Sequence, residues 1–319
     1  MTNFTISTAS TVAAARKLLR SATPPNQSAT QLSNFSVEKI DRALRLGFRR
    51  PAWVWYASDE NKSVLGVVAG WGSAARTSAD ILDFLDLPSD PEIAHALMTR
   101  VVADSTEKGR RRIEVIHFIP TELSLDDPDL AGLIATLAAA DFRMLVRRHR
   151  YRLPVRQVPV TIPDTELSFA PITGEDDPRL LQIVREILVG SLDAHDVAAL
   201  AKGDLDTVAA ETVTEFLGYD PADSFFLASN PEGTVVGLVV GGLRGTPDTG
   251  VASFIGVSNL HRGHGYAAQL LGWITSRMIA ENAEFIIGET DDDNFPMAAA
   301  FTKVGYPHAE SRIDFLRDL

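Results

Sequence analysis

The chain has 319 residues, 45% hydrophobic and 23% charged, enough apolar material for two globular domains of about 150 residues each. It contains no cysteine, which excludes disulfides, thiolate metal sites and cysteine nucleophiles. The seven histidines show no ligand spacing, so no metal is expected. A net charge of −12 disfavours nucleic-acid binding by the whole chain. With no secretory signal and no apolar run of about 18 residues, the expectation is a cytoplasmic protein without a membrane partner, monomeric or homodimeric.

In chain order, Phe4 to Ser7 is predicted to form a strand, and Thr8 to Ser10 offer caps for a helix through Leu19. Ser21 to Asn34, which contains Pro24-Pro25, reads as a loop, and a helix follows near 37–46. Residues 53–57 and 63–71 read as strands joined by the hairpin signal Ser58-Asp59-Glu60-Asn61. Then come a strand at 81–85, a helix at 92–107, a strand at 113–118, a helix at 130–140 and a strand at 145–153. Three prolines between Pro154 and Pro163 mark a linker.

The order then repeats. A strand at 167–171, helices at 178–188 and 193–216, and strands at 225–229 and 234–242 are expected. The turn Asn230-Pro231-Glu232-Gly233 implies that the last two pair antiparallel. A strand at 251–257, a glycine turn and a long helix follow, then a strand at 285–289, a helix at 295–304 and a strand at 311–315. The fold class is therefore α+β: two similar domains, each a mixed, largely antiparallel sheet flanked by helices. The boundaries are 1–153, a linker at 154–166, and 167–319.

The turn after 251–257, Arg262-Gly263-His264-Gly265-Tyr266-Ala267, carries the chemistry. Two glycines allow backbone conformations closed to other residues and a close approach by a ligand. The helix that follows has Ala267, Leu270, Leu271, Ile274 and Met278 on one apolar stripe. Its first N–H groups lack intrahelical acceptors and lie at the positive end of the dipole, a site for phosphate or diphosphate. Gly263, Gly265 and Ala268, with Glu289 downstream, also fit a dinucleotide-binding pattern loosely. Only about 30 residues follow Glu289, too few for further βαβ units.

Arg262 to Ala267 is similar to the R/Q-x-x-G-x-G/A loop of the GNAT superfamily of N-acetyltransferases. The segment from Asn294-Phe295-Pro296-Met297 to Lys303-Val304-Gly305-Tyr306 resembles that family's N-x-x-M/A and K-x-G-F pattern, in the same order. The chain as a whole is similar to tandem members of the family. The resemblance implies an acetyl-CoA co-substrate, bound by Arg262, Gly263, His264, Gly265, Tyr266, Ala267 and Asn294, with its thioester along Ile255, Gly256 and Val257. Gly256 fits close approach of a ligand and, equally, a bulge or a packing contact. The implied reaction is acetyl transfer to a primary amine of a small molecule by direct attack in a ternary complex. Glu289 is the candidate base, with Asp291, Asp292 and Asp293 crowded behind it. An exposed acidic loop capping the next helix, with Asn294 as the cap, is the competing interpretation.

Two departures matter. Phe301 stands where many family members have a tyrosine that protonates the leaving thiolate, and phenylalanine cannot donate a proton. Tyr306 or Tyr266 could substitute, the thiolate could leave unassisted, or the protein could be a non-catalytic acyl-CoA-binding module. In the first domain the equivalent turn is Asp86-Leu87-Pro88-Ser89-Asp90-Pro91-Glu92, with no glycine, fewer N–H donors and three carboxylates. It should bind no diphosphate. Arg148, Arg150 and Arg152 share one strand face and are expected to pair with acidic residues of the second half or to be solvated. Asp193, Asp196, Asp204, Asp206, Glu211, Glu215 and Asp220 form an acidic stretch that would attract a cationic acceptor or simply be a solvated helix face.

Overall fold

The computed structural model describes residues 3–73, 77–243 and 248–319. It divides into two compact units, Met1–Arg147 with Glu310–Leu319, and Arg148–Ala309. In chain order the elements are β1 (Phe4–Thr8), α1 (Val12–Ser21), α2 (Ala29–Asn34), α3 (Val37–Leu46), β2 (Val54–Asp59), β3 (Val64–Trp71), β4 (Ile81–Asp86), α4 (Pro91–Glu107), β5 (Arg112–Ile119), α5 (Pro128–Ala139) and β6 (Arg143–Pro154). The second series is β7 (Ser168–Pro171), α6 (Pro178–Leu188), α7 (Ala194–Leu200), α8 (Leu205–Tyr219), β8 (Phe225–Ser229), β9 (Val235–Leu243), β10 (Thr249–Val257), α9 (Tyr266–Ala280), β11 (Phe285–Asp291), α10 (Phe295–Val304) and β12 (His308–Asp318). No helix among the described residues is long and apolar enough to cross a membrane.

In the first unit the strands run β1-β2-β3-β4-β5-β12, with β4 and β5 parallel and the other neighbours antiparallel. In the second they run β7-β8-β9-β10-β11-β6, with β10 and β11 the parallel pair. The mixed, largely antiparallel sheets expected from the short turns are therefore present in both. The expected boundary at 153 is corrected by the last strands. Ser311 to Asp318 of β12 pair with β5 in the first unit, and Arg148 to Pro154 of β6 pair with β11 in the second. Each sequence half thus completes the other half's sheet.

Residues 154–166 are not a free spacer either. Val155, Val158 and Val160 pack on the second unit's core, and the Thr161 N–H donates to the Val304 carbonyl at 3.0 Å. Nor do residues 193–216 form one helix. Gly203 interrupts them, and Asp204 restarts the helix by accepting the N–H groups of Asp206 and Thr207. Asp and Asn at such positions satisfy donors that a new helix leaves open.

The second unit buries apolar side chains on both sheet faces. On one, α6 and α8 cover Leu227, Leu238 and Val240. On the other, α9 contributes Leu270, Leu271, Ile274 and Met278, all 0% exposed, each worth about 1.5–3 kcal/mol on burial. The stripe differs from expectation at one position, since Ala268 is buried and Ala267 only half-buried. A Cβ on Gly250 would lie 2.5 Å from Met278, and one on Gly237 or Gly241 would crowd Leu270 at 3.2 Å or Ile274 at 3.1 Å besides meeting a β10 carbonyl, so these glycines let α9 lie close on β9 and β10.

Candidate active site

The parallel pair β10 and β11 is short. Its register runs from Thr249 opposite Phe285 to Ala252 opposite Gly288, whereas β10 continues paired with β9 as far as Val257 opposite Gly237. A bulge lies between Ala252 and Phe254, and bulges bend strands and end pairing. Beyond it no strand among the described residues pairs with the β11-facing edge of β10, which is called its open edge below. The Ser258 N–H donates to Val236 on β9 at 2.9 Å. Peptide groups alternate along a strand, so the N–H groups of Ile255 and Val257 point to the open edge and that of Gly256 points to β9. A Cβ on Gly256 would lie 2.6 Å from Ile187 of α6. The missing side chain at Gly256 thus makes room for Ile187 and Phe254, as a packing glycine does.

The loop 262–265 that follows is exposed. Gly263 and Gly265 have φ of 86° and 74°, a left-handed conformation that costs other residues about 1–2 kcal/mol. A Cβ built on either meets nothing within 4 Å, and no side chain caps α9 at Gly265. The first N–H groups of α9, from Tyr266 and Ala267 onward, thus begin a helix end open to a ligand. His264 stacks on the ring of the buried Tyr266 at 5.6 Å. The Arg262 side chain is used differently from expectation. Its guanidinium donates to the carbonyls of Ile187 and Gly190 at 2.7 Å each and of Val257 at 3.4 Å.

The first unit has the same fork with the opposite outcome. There, among the described residues, β4 and β5 pair at Ile81–Glu114 and Leu82–Val115 alone. Its own chain stitches the fork. The Thr23 N–H donates to Asp86 on β4 at 3.2 Å, and Asn26 Nδ2 donates to the Phe118 carbonyl on β5 at 2.8 Å. Asn26 and Gln31 hold the two ring nitrogens of His117, which burial pushes down to about 4. At the start of α4, Asp90 accepts the N–H groups of Glu92 and Ile93. A carboxylate of the chain occupies the place a diphosphate would need.

The candidate catalytic side chains separate. Glu289 faces Arg150 across the β11–β6 register and forms an ion pair with it. Arg148 bridges Asp193 at 2.6 Å and Asp291 at 2.8 Å, and Arg152 lies over the Phe285 ring at 3.9 Å. The basic face therefore pairs with acidic and aromatic partners of this unit. Tyr306 is 4% exposed, with its hydroxyl 2.7 Å from that of Thr275. The Thr275 hydroxyl donates to the Leu271 carbonyl, so Tyr306 is the donor of the pair. Burial raises its hydroxyl far above the usual range, and these contacts remove it as an acid. Phe301 is buried under Gly288, where a Cβ would lie 2.7 Å from its ring, and stacks on Tyr151 at 4.2 Å. Asn294 caps α10 by accepting the Met297 N–H at 3.3 Å.

A cluster that the sequence showed only as part of an acidic stretch lies at the start of α7. Asp291, at the end of β11, accepts the Ala194 N–H at 2.7 Å. Ser191 donates to Asp196 at 2.6 Å. Burial, then the charge of Asp193, pushes Asp196 up to about 6, with Ser191, His195 and Arg148 opposing. Burial also raises Asp193, but His195 and Arg148 outweigh it and hold that residue anionic. The spacing Ser191-x-Asp193-x-x-Asp196 is the local signal that could have singled out these residues.

Residues 194–306 match the model of the acetyltransferase (GNAT) family. The second unit is a GNAT acetyltransferase domain. The GNAT domain belongs to an acyltransferase family, and the whole chain has the fold of tandem GNAT proteins. It is similar to a GCN5-related N-acetyltransferase from Sphaerobacter thermophilus, at 14% identity and TM-score 0.60, covering 99% of this chain and 95% of that one. It is also similar to a tandem GNAT protein from the clavulanic acid biosynthesis pathway, at 17% identity and TM-score 0.57, covering 100% and 98%. A third similarity is to a glucosamine N-acetyltransferase region in a fungal multi-domain GH3 β-N-acetylglucosaminidase, at 12% identity and TM-score 0.62, covering 99% of this chain and 38% of that one.

Proposed function

We propose that the GNAT domain binds acetyl-CoA and transfers its acetyl group to a primary amine of a small molecule, by direct attack in a ternary complex. The observation that carries this reading is the uncapped start of α9, with Gly263 and Gly265 left-handed and open around them. Backbone N–H groups there would hold the diphosphate without a side-chain charge. Bound acetyl-CoA would supply a thioester as acyl donor. The open edge of β10 offers the N–H of Ile255 or Val257 to its carbonyl oxygen, where charge develops during transfer.

The acceptor amine must lose a proton to become nucleophilic. Asp196, raised to about 6, is matched to that task near neutrality, whereas Glu289 is engaged by Arg150. The excess of carboxylates over Arg148 among Asp193, Asp196 and Asp291 favours a cationic amine. The departing thiolate takes its proton from solvent, which a thiol near the cysteine value of about 8.5 tolerates.

A second reading is a non-catalytic acyl-CoA-binding module. It is favoured by Phe301 and the buried Tyr306, which leave the expected position without a phenol. Titration calorimetry with acetyl-CoA, followed by thiol release over a panel of cationic and neutral amines, separates the two. Binding with turnover supports the transferase, and binding without turnover on any amine supports the module.

A further inference from the structure

The geometry points to Arg262 as a positioning residue for the acceptor side of the cleft, not a phosphate ligand. This rests on the transferase reading for its substrate arm, but its geometric basis is independent. Arg262 follows the end of β10, yet its guanidinium reaches the end of α6, donating to Ile187 and, just past the helix, to Gly190 at 2.7 Å each. Helix C-termini leave their last carbonyls without partners, and arginine satisfies them well because its donors are fixed in a planar fork. Ser191 takes the Leu188 carbonyl at 3.1 Å, so Arg262 completes the cap from outside the helix. Gly190, with φ of 65°, turns the chain at that point.

The segment beginning there runs to Ala194, whose N–H is held by Asp291 at the end of β11. It is therefore tied at one end beside β10 and at the other to β11, the two strands that separate to form the fork. Asp193 and Asp196, proposed to meet the amine, and Ser191, which donates to Asp196, lie on this segment or on the turn of α7 that it starts. Releasing Gly190 would displace those groups while the backbone N–H groups of Gly263 to Ala267 keep their place.

Arg262→Ala and Arg262→Lys test the role, with Asp291→Asn loosening the segment's other tie. In calorimetry, acetyl-CoA Kd is expected to stay within about twofold for all three. The acceptor KM in the thiol-release assay should rise about tenfold or more, and lysine, lacking the fork, should not rescue it. Hydrogen exchange should quicken at residues 187–194 and stay unchanged at 266–270. This exchange measurement needs no acceptor, so it still decides the role if wild type turns over no amine. A tenfold loss of acetyl-CoA affinity restored by lysine overturns the proposal, as does unchanged exchange at 187–194. If Arg262→Ala does not fold, Arg262→Gln, which keeps an amide NH2 but not the guanidinium fork, serves in its place.

Discussion

Arg150 lies directly opposite Glu289 on paired strands β6 and β11, and the two form an ion pair. With Glu289 engaged in this way, Asp196 is the base of the proposed reaction. Below about 6 Asp196 is protonated and cannot accept. The kcat of wild type should therefore fall about tenfold per pH unit below that value. Asp196→Asn should lower kcat by about 10²-fold or more and flatten this limb. Glu289→Gln should keep the limb in place. A pH profile of thiol release for the three proteins checks this.

Gly265 begins α9 with φ of 74°. Gly265→Ala should cost about 1 kcal/mol of stability, because a side chain disfavours that conformation. It should also weaken acetyl-CoA binding by about tenfold, since the loop must present its N–H groups in one geometry. Thermal unfolding and calorimetry measure the two effects separately.

Gly288 leaves room for the ring of Phe301, 2.7 Å from where a Cβ would stand. Gly288→Ala should destabilise the protein by about 1–3 kcal/mol, the usual range for overpacking a filled core. Chemical denaturation would show this as a lower midpoint with an unchanged slope.

His117 is buried in the first unit and pushed down to about 4. Its ordinary value in the unfolded chain is about 6.5. Between these values the unfolded chain binds the extra proton, so stability must fall as the pH drops from 6.5 toward 4. The full loss is on the order of 3 kcal/mol. Denaturation midpoints across this range should decline in wild type and flatten in His117→Gln.

The parts legible in the sequence were those set by local chemistry. Helix α10 and its asparagine cap, α6 at Pro178–Leu188, and the glycine turn before α9 stand where the sequence reading placed them. The exchange of β6 and β12 was not legible, because both read as good strands and pairing is decided by distant partners. The partners of the Arg262 side chain were not legible for a related reason. A motif fixes where its backbone runs, but the direction of the side chain depends on carbonyls at and just after the end of α6 that are far away in sequence. The acidic stretch showed its charge but not that Gly203 splits it and that Asp196 becomes half-buried beside Ser191.

The central claim is that the chain holds a diphosphate on main-chain N–H groups at the start of α9. A crystal structure of the full chain soaked with acetyl-CoA tests it most directly. The account predicts the diphosphate against the N–H groups of residues 263–267, with the pantetheine arm along the open edge of β10 and nothing bound at Asp90. A diphosphate held mainly by the Arg262 side chain, or bound at the start of α4, would contradict it.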